Sequence, residues 1–140
     1  MKGSCLCGAV TVTLAVPADR VTACHCLDCQ QWTGSTFLSL HAEGRDVTVS
    51  GPVKTFSPSG LAERGFCITC GTCVFYRIGS GEAQSYGLAV GLFPEAADLP
   101  LAEEFLVDQR PAFLRLSGAH PRRTGEETVA LSDPELGGRA

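Results

Sequence analysis

Cys24-His25-Cys26-Leu27-Asp28-Cys29 places three thiols within six residues, in the spacing Cys-x-Cys-x2-Cys. Thiols this close in sequence can converge on one metal ion. Structural zinc sites are closed by four protein ligands, whereas catalytic ones keep a position for water or substrate. The stretch therefore poses one question: does any other residue close the site? Working outward, Cys5-x-Cys7-Gly8 and Cys67-x2-Cys70-Gly71 are each a cysteine pair followed by glycine. Glycine tolerates the left-handed turn that lets two thiols on a tight loop grip one metal. Two such pairs make a complete four-thiolate site, joining the start of the chain to a hairpin far along it. Such a link contributes on the order of 10 kcal/mol to folding. Cys73 is left over. By spacing it suits equally a fourth ligand for the central cluster and a plain core thiol.

The chain has 140 residues, eight of them cysteine, and a formal net charge of −4. That length suits one domain with a modest core. Met1-Lys2-Gly3-Ser4-Cys5 carries no secretory pattern, and no apolar run approaches the ~18–20 residues of a membrane span. The expected compartment is the cytoplasm, where thiols stay reduced and clustered cysteines favour metal over disulfides. Metal-bound cysteine is thiolate, so a loaded protein is more acidic still. With no Lys/Arg run, neither nucleic acid nor membrane is an expected partner. The expected partner is a small-molecule thiol, and the sequence leaves the oligomeric state open.

Ala9 to Val16 alternates branched apolar residues with threonine and reads as a strand ended by Pro17-Ala18-Asp19. Cys26 to Thr33 suits one or two helical turns stopped by Gly34. Further strands are expected at Thr36–His41, Val47–Val49, Val53–Phe56, Thr72–Ile78 and Gln84–Val90, with a short amphipathic turn near Leu101 to Val107. Short strands, regular turns and no long helical period predict a mainly β fold of small antiparallel sheets. The domain is expected over 1–118, with 119–140 a polar, flexible tail.

These motifs in order are Cys-x-Cys-Gly-Ala-Val, Cys-His-Cys-x2-Cys, Gly-Ser-x-Phe, Phe-Cys-x2-Cys-Gly-Thr and the late Asp108-x-x-Pro111-Ala112-Phe113. The combination resembles the glutathione-dependent formaldehyde-activating enzyme family, which also includes centromere protein V, from Cys5 to about Leu116. The resemblance implies a β-tent fold, with small antiparallel sheets joined at a structural zinc site. Carried across by position, Cys5, Cys7, Cys67 and Cys70 match the structural zinc ligands, and Cys24, Cys26 and Cys29 match a catalytic three-thiolate site. Cys73 falls at a variable position, which favours an open second site. Two zinc ions are thus implied, one structural and one catalytic and labile. The chain departs from the pattern at Gln30-Gln31, where a basic residue often follows the third cysteine. Thr36 stands in place of a proline, Phe113 in place of a common tryptophan, and Glu104 where histidine is frequent.

An open three-thiolate zinc suits a thiol substrate better than water, because coordination deprotonates an incoming thiol and keeps it nucleophilic. The expected activity is that of a carbon–sulfur lyase or synthase on a thiol adduct, with glutathione plus formaldehyde as the implied pair. His25 and Asp28, inside the ligand loop, are the nearest candidates for moving the proton. Against this, His25 has a plain reading in solvent or on the backbone, and Asp28 as a helix cap. Gly34 and Ser35 offer backbone N–H groups to a pocket wall, or form just a turn. Arg64 is the leading cation for a glutathione carboxylate, ahead of Lys54 and Arg77. Trp32, Phe37 and Tyr86 suit packing, and His41 and His120 sit in no pattern. The competing reading is a non-catalytic zinc module that binds a protein partner. A thiol–disulfide oxidoreductase using Cys67 and Cys70 ranks below both, since no βαβ setting surrounds them.

Overall fold

The computed structural model describes residues 1–58 and 60–132. It is mainly β, as the short alternating runs predict. The chain divides into two compact units: Met1–Val21 with Leu38–Pro100, and Thr22–Phe37 with the chain from Leu101 onward.

In the first unit, β1 (Lys2–Ser4), β2 (Thr11–Leu14) and β5 (Val47–Ser50) form a small antiparallel sheet in the order β1-β2-β5, with Gly3 opposite Val12 and Val12 opposite Val49. A larger antiparallel run follows the order β4-β9-β8-β7-β6, where β4 is Phe37–Glu43, β6 Val53–Phe56, β7 Ala62–Cys67, β8 Cys73–Ile78 and β9 Ser85–Ala89. Alternation along β2 turns Val12 and Leu14 inward, and Leu40, Val74 and Leu88 are buried on β4, β8 and β9, which carry consecutive buried residues. Full burial of one such side chain contributes about 1.5–3 kcal/mol. Two aromatic rings lie across glycines on neighbouring strands. A Cβ on Gly65 would come 2.4 Å from the ring of its partner Phe75, and one on Gly87 would come 2.2 Å from the ring of Tyr76.

In the second unit the strand order is β11-β10-β3, where β3 is Val21–Cys24, β10 Leu101–Phe105 and β11 Arg122–Arg123, with β10 and β11 parallel. Helix α1 (Leu27–Thr33) follows β3; Cys26 caps its start, and Gly34, at φ 79°, ends it. The stretch from 119, expected as a polar tail, contributes β11 and helix α2 (Gly125–Ser132). The remainder of that expected tail, 133–140, lies outside the described residues. Where an amphipathic turn was expected at Leu101–Val107 there is a strand. Its alternation is hidden because the one fully inward position of β10 is Glu104. Strands β1, β3 and β7 also escaped the sequence reading. The first is three residues long, and β7 carries Glu63, Arg64 and Gly65 in its middle. Among the described residues no helix is long and apolar enough to cross a membrane.

The glycine–ring pairs yield a test of the packing. Gly65→Ala is expected to displace the Phe75 ring and lower stability by about 1–3 kcal/mol in urea unfolding, with metal content unchanged. An unaltered midpoint would contradict the packing described.

Candidate metal centres

Two groups of metal-ligating side chains occur among the described residues, one of four cysteines and one of three. In the first unit, the loop after β1 supplies Cys5 and Cys7, and the β7–β8 hairpin supplies Cys67 and Cys70. Their sulfurs all lie within 4.8 Å of one another. Cys5 Sγ is 3.5 Å from Cys7 Sγ, which is 3.8 Å from Cys67 Sγ. Zinc–sulfur bonds of about 2.3 Å in a tetrahedron put the sulfurs about 3.8 Å apart. The four thiols therefore fit one zinc ion as they stand. Both loops are shaped for this. Gly8, at φ 78°, donates its N–H to Cys5 O, and Gly71, at φ 75°, donates to Cys67 O. Thr72 ties the loops together: its Oγ1 accepts from Leu6 N–H at 3.2 Å and lies 3.1 Å from Cys70 Sγ. When Cys70 is a thiolate, the Thr72 hydroxyl is the donor of that contact. The Thr72 hydroxyl and then its backbone N–H hold the Cys70 thiol down to about 5. The Ala9 backbone N–H favours a Cys7 thiolate, but the neighbouring Cys5 and Cys70 sulfurs outweigh it and push that thiol up to about 12.

The three-cysteine group belongs to the second unit. Along extended backbone, successive side chains point to opposite sides. From Thr22 to Cys26 burial alternates accordingly: Ala23 and His25 are fully buried, while Thr22, Cys24 and Cys26 are half-buried. Cys24 and Cys26 thus share a side, and His25 takes the other. Cys26 then caps α1, its Sγ accepting the Cys29 N–H at 3.3 Å, which brings the third sulfur round. The three sulfurs lie within 4.8 Å of one another. Hydrogen bonding to Cys26 pushes the Cys24 thiol up to about 11. Cys24, Cys26 and burial together push Cys29 higher still. Such a rise is what crowded sulfurs without a cation produce, and a divalent ion reverses it. Cys73, half-buried on β8, belongs to neither group.

The ligand loop is held from several directions. Thr36 Oγ1 donates to Cys24 O at 2.8 Å, a bond that the proline of the family pattern could not make. His25 N–H bonds Phe105 O at 3.0 Å. Gln30 Nε2 donates to His25 O and Gln109 O, and Leu27 N–H donates to Gln109 Oε1.

The other residues singled out by sequence are placed as follows. His25 is fully buried, and its Nε2–H donates to Glu104 Oε2 at 2.7 Å, so it neither faces solvent nor bonds the backbone through its ring. Asp28 is exposed in the first turn of α1. The N–H groups expected to line a pocket at Gly34 and Ser35 are already engaged: Gly34 N–H bonds Gln30 O and Ser35 N–H bonds Thr33 Oγ1, because this turn closes the helix. Arg64 is buried on β7, Lys54 is exposed on β6, and Arg77 is engaged by Glu63, Tyr86 and the Phe75 ring. Trp32 and Phe37 pack with ring centroids 5.1 Å apart, and Tyr86 is buried.

Sequence reasoning missed Glu104 and His120. The fully buried Glu104 takes His25 and Arg110 on Oε2, and His120 (2.6 Å) and Arg122 (2.9 Å) on Oε1. Burial alone would raise its carboxyl, but hydrogen bonds from His120 and His25 and the charge of Arg122 hold it at about 2. One signal was available, the alternation that puts His25 on an inward face and so requires a buried polar partner.

The chain is thus a mainly β protein whose cysteines gather into a four-sulfur and a three-sulfur cluster. It matches the model of the glutathione-dependent formaldehyde-activating enzyme family over residues 1–108, and it belongs to that family. A Schizosaccharomyces pombe protein named an uncharacterized lyase is 26% identical over 111 residues, 79% of this chain and 80% of that one. A Rhodobacter sphaeroides protein of known crystal structure shares the fold with a TM-score of 0.56 at 24% identity, over 73% of this chain and all of that one.

Two measurements check these centres. Thr72→Val should weaken zinc at the four-cysteine site by about tenfold in chelator competition, leaving the other site unchanged. For Glu104, the folded carboxyl lies below its unfolded value of 4.5. Its contribution is therefore present above that pH and lost as pH falls toward about 2, amounting to no more than roughly 3 kcal/mol. The stability difference between wild type and Glu104→Gln should shrink over that window, as measured by urea unfolding at stepped pH.

Proposed function

We propose that this protein is a zinc-dependent carbon–sulfur lyase, acting also as a synthase, on the adduct of a small thiol and an aldehyde. Glutathione and formaldehyde, giving S-hydroxymethylglutathione, are the proposed pair. The observation that carries this reading is the unequal division of sulfurs, four in one cluster and three in the other, with Cys73 in neither. Membership of the family and the relative named a lyase support the reaction class.

Cys5, Cys7, Cys67 and Cys70 would hold a structural zinc, and Cys24, Cys26 and Cys29 a catalytic one. A zinc held by three thiolates supplies a vacant position at which a thiol loses its proton near neutral pH while staying nucleophilic. In the synthetic direction the glutathione sulfur bonds to the formaldehyde carbon, the carbonyl π pair moves to oxygen, and the thiol's proton ends on that oxygen. The reverse breaks the same carbon–sulfur bond, and nothing is oxidised or reduced. Asp28, exposed beside Cys29, is assigned to carry the proton. His25 is assigned to anchor the loop, since its Nε2–H is committed to a buried carboxylate. The half-buried Cys24 and Cys26 leave the cluster reachable from solvent.

Cys26→Ser and Cys29→Ser should each reduce turnover of glutathione and formaldehyde by at least about 100-fold, while Cys73→Ser retains it. Full turnover in either of the first two variants would defeat the assignment. Loss of one zinc in Cys73→Ser would favour the non-catalytic module instead.

A further inference from the structure

The cysteines of the second cluster are held by the chain's own backbone, so whatever fixes that backbone fixes the sulfurs. Extended Cys24-His25-Cys26 makes His25 the handle: it points away from the sulfurs, yet its Cα lies between theirs. The ring is fully buried, and its Nε2–H reaches a carboxylate 79 positions along the chain. That carboxylate, Glu104, is itself fully buried and accepts from four side chains. A buried carboxylate held by several charge-assisted hydrogen bonds is rigid, because losing any one of them exposes unpaired charge to a low-dielectric interior. With two arginines and two histidines already on it, Glu104 has no place left for a cation. Its part is to hold, and not to ligate. Its neighbour Phe105 accepts the His25 N–H, so backbone and ring are pinned to adjacent positions of β10.

We propose that Glu104, acting through His25, is a positioning residue that sets the spacing of the Cys24, Cys26 and Cys29 sulfurs for metal. It does so with its far oxygen anchored by His120, just before β11, and by Arg122, the first residue of β11. This inference rests on the reading of that cluster as a metal site. Partners that orient metal-bearing side chains from outside the ligand set typically change affinity 10- to 100-fold when removed. The two clusters of one chain then supply an internal control, because nothing in the Glu104 network touches Cys5, Cys7, Cys67 or Cys70 among the described contacts.

The experiment uses the full chain loaded with cobalt, without substrate. Chelator competition is followed at the thiolate-to-cobalt absorption bands, and the signals are assigned to each site with Cys26→Ser. Glu104→Gln and His25→Gln should each weaken the second site by about tenfold or more and alter its bands, leaving the first site within about twofold. The double variant should be no weaker than the weaker single one, since the two act in series. If Glu104→Gln does not fold, His120→Gln, which touches only the far oxygen, should show the same selective loss. Equal weakening of both sites, an unchanged second site or fully additive losses would overturn the proposal. A wild-type chain that takes up only one cobalt would instead defeat the underlying reading of the second cluster.

Discussion

Thiolates drawn within 4.8 Å of one another repel, and the structure gathers seven sulfurs into two such clusters. Two unit charges 4 Å apart oppose each other by about 4 kcal/mol at an effective dielectric of about 20. Crowding pushes Cys7, Cys24 and Cys29 toward keeping their protons, while hydrogen bonds from Thr72 and from the Val10 backbone draw Cys70 and Cys5 the other way. A divalent ion changes the sign of this interaction and turns the crowding into attraction, so metal uptake and folding are linked. The small sheet and the β7–β8 hairpin meet at the four-sulfur cluster, where a divalent ion would link metal uptake to the fold of the first unit.

The two clusters are built by different local rules. In the first, two tight turns face each other, each relaxed by a glycine at positive φ, and Thr72 bonds both loops. All of the ligand geometry lies inside the turns. In the second, two sulfurs share a side because the backbone is extended, and the third is brought round by the first turn of α1. An extended strand does not close on itself as a knuckle does. It needs holding from outside, and here Glu104, Gln109 and Thr36 provide that. A metal held by these three sulfurs would keep a position for a reactant, which is the basis of the proposed thiol chemistry.

The two cysteine clusters were legible in the sequence because each pair or triplet falls within six residues. The clean alternation of β2 was legible for the same reason, and β6 and β8 were legible as short runs rich in branched and aromatic residues between turns. The supports were not. Glu104 lies 79 positions from His25, on a strand whose inward face carries a carboxylate, so hydrophobic periodicity reads it as surface. His120 sits in a polar stretch that resembles a tail until Arg122–Arg123 pairs with β10. Gly34 and Ser35 show the converse. Their sequence suits equally a pocket wall and a plain turn, and the structure has both N–H groups serving the helix end.

Four protein sulfurs gather in one cluster and three in the other, so a zinc ion in the second would lack one protein ligand. Metal-edge X-ray absorption of the chain loaded with two zinc ions counts sulfurs directly. An average between three and four sulfurs per zinc is expected from the seven clustered cysteines, rising to four when the glutathione sulfur joins the second ion and falling again when glutathione is removed. An average of four sulfurs before any thiol is added, unmoved by glutathione, would contradict it.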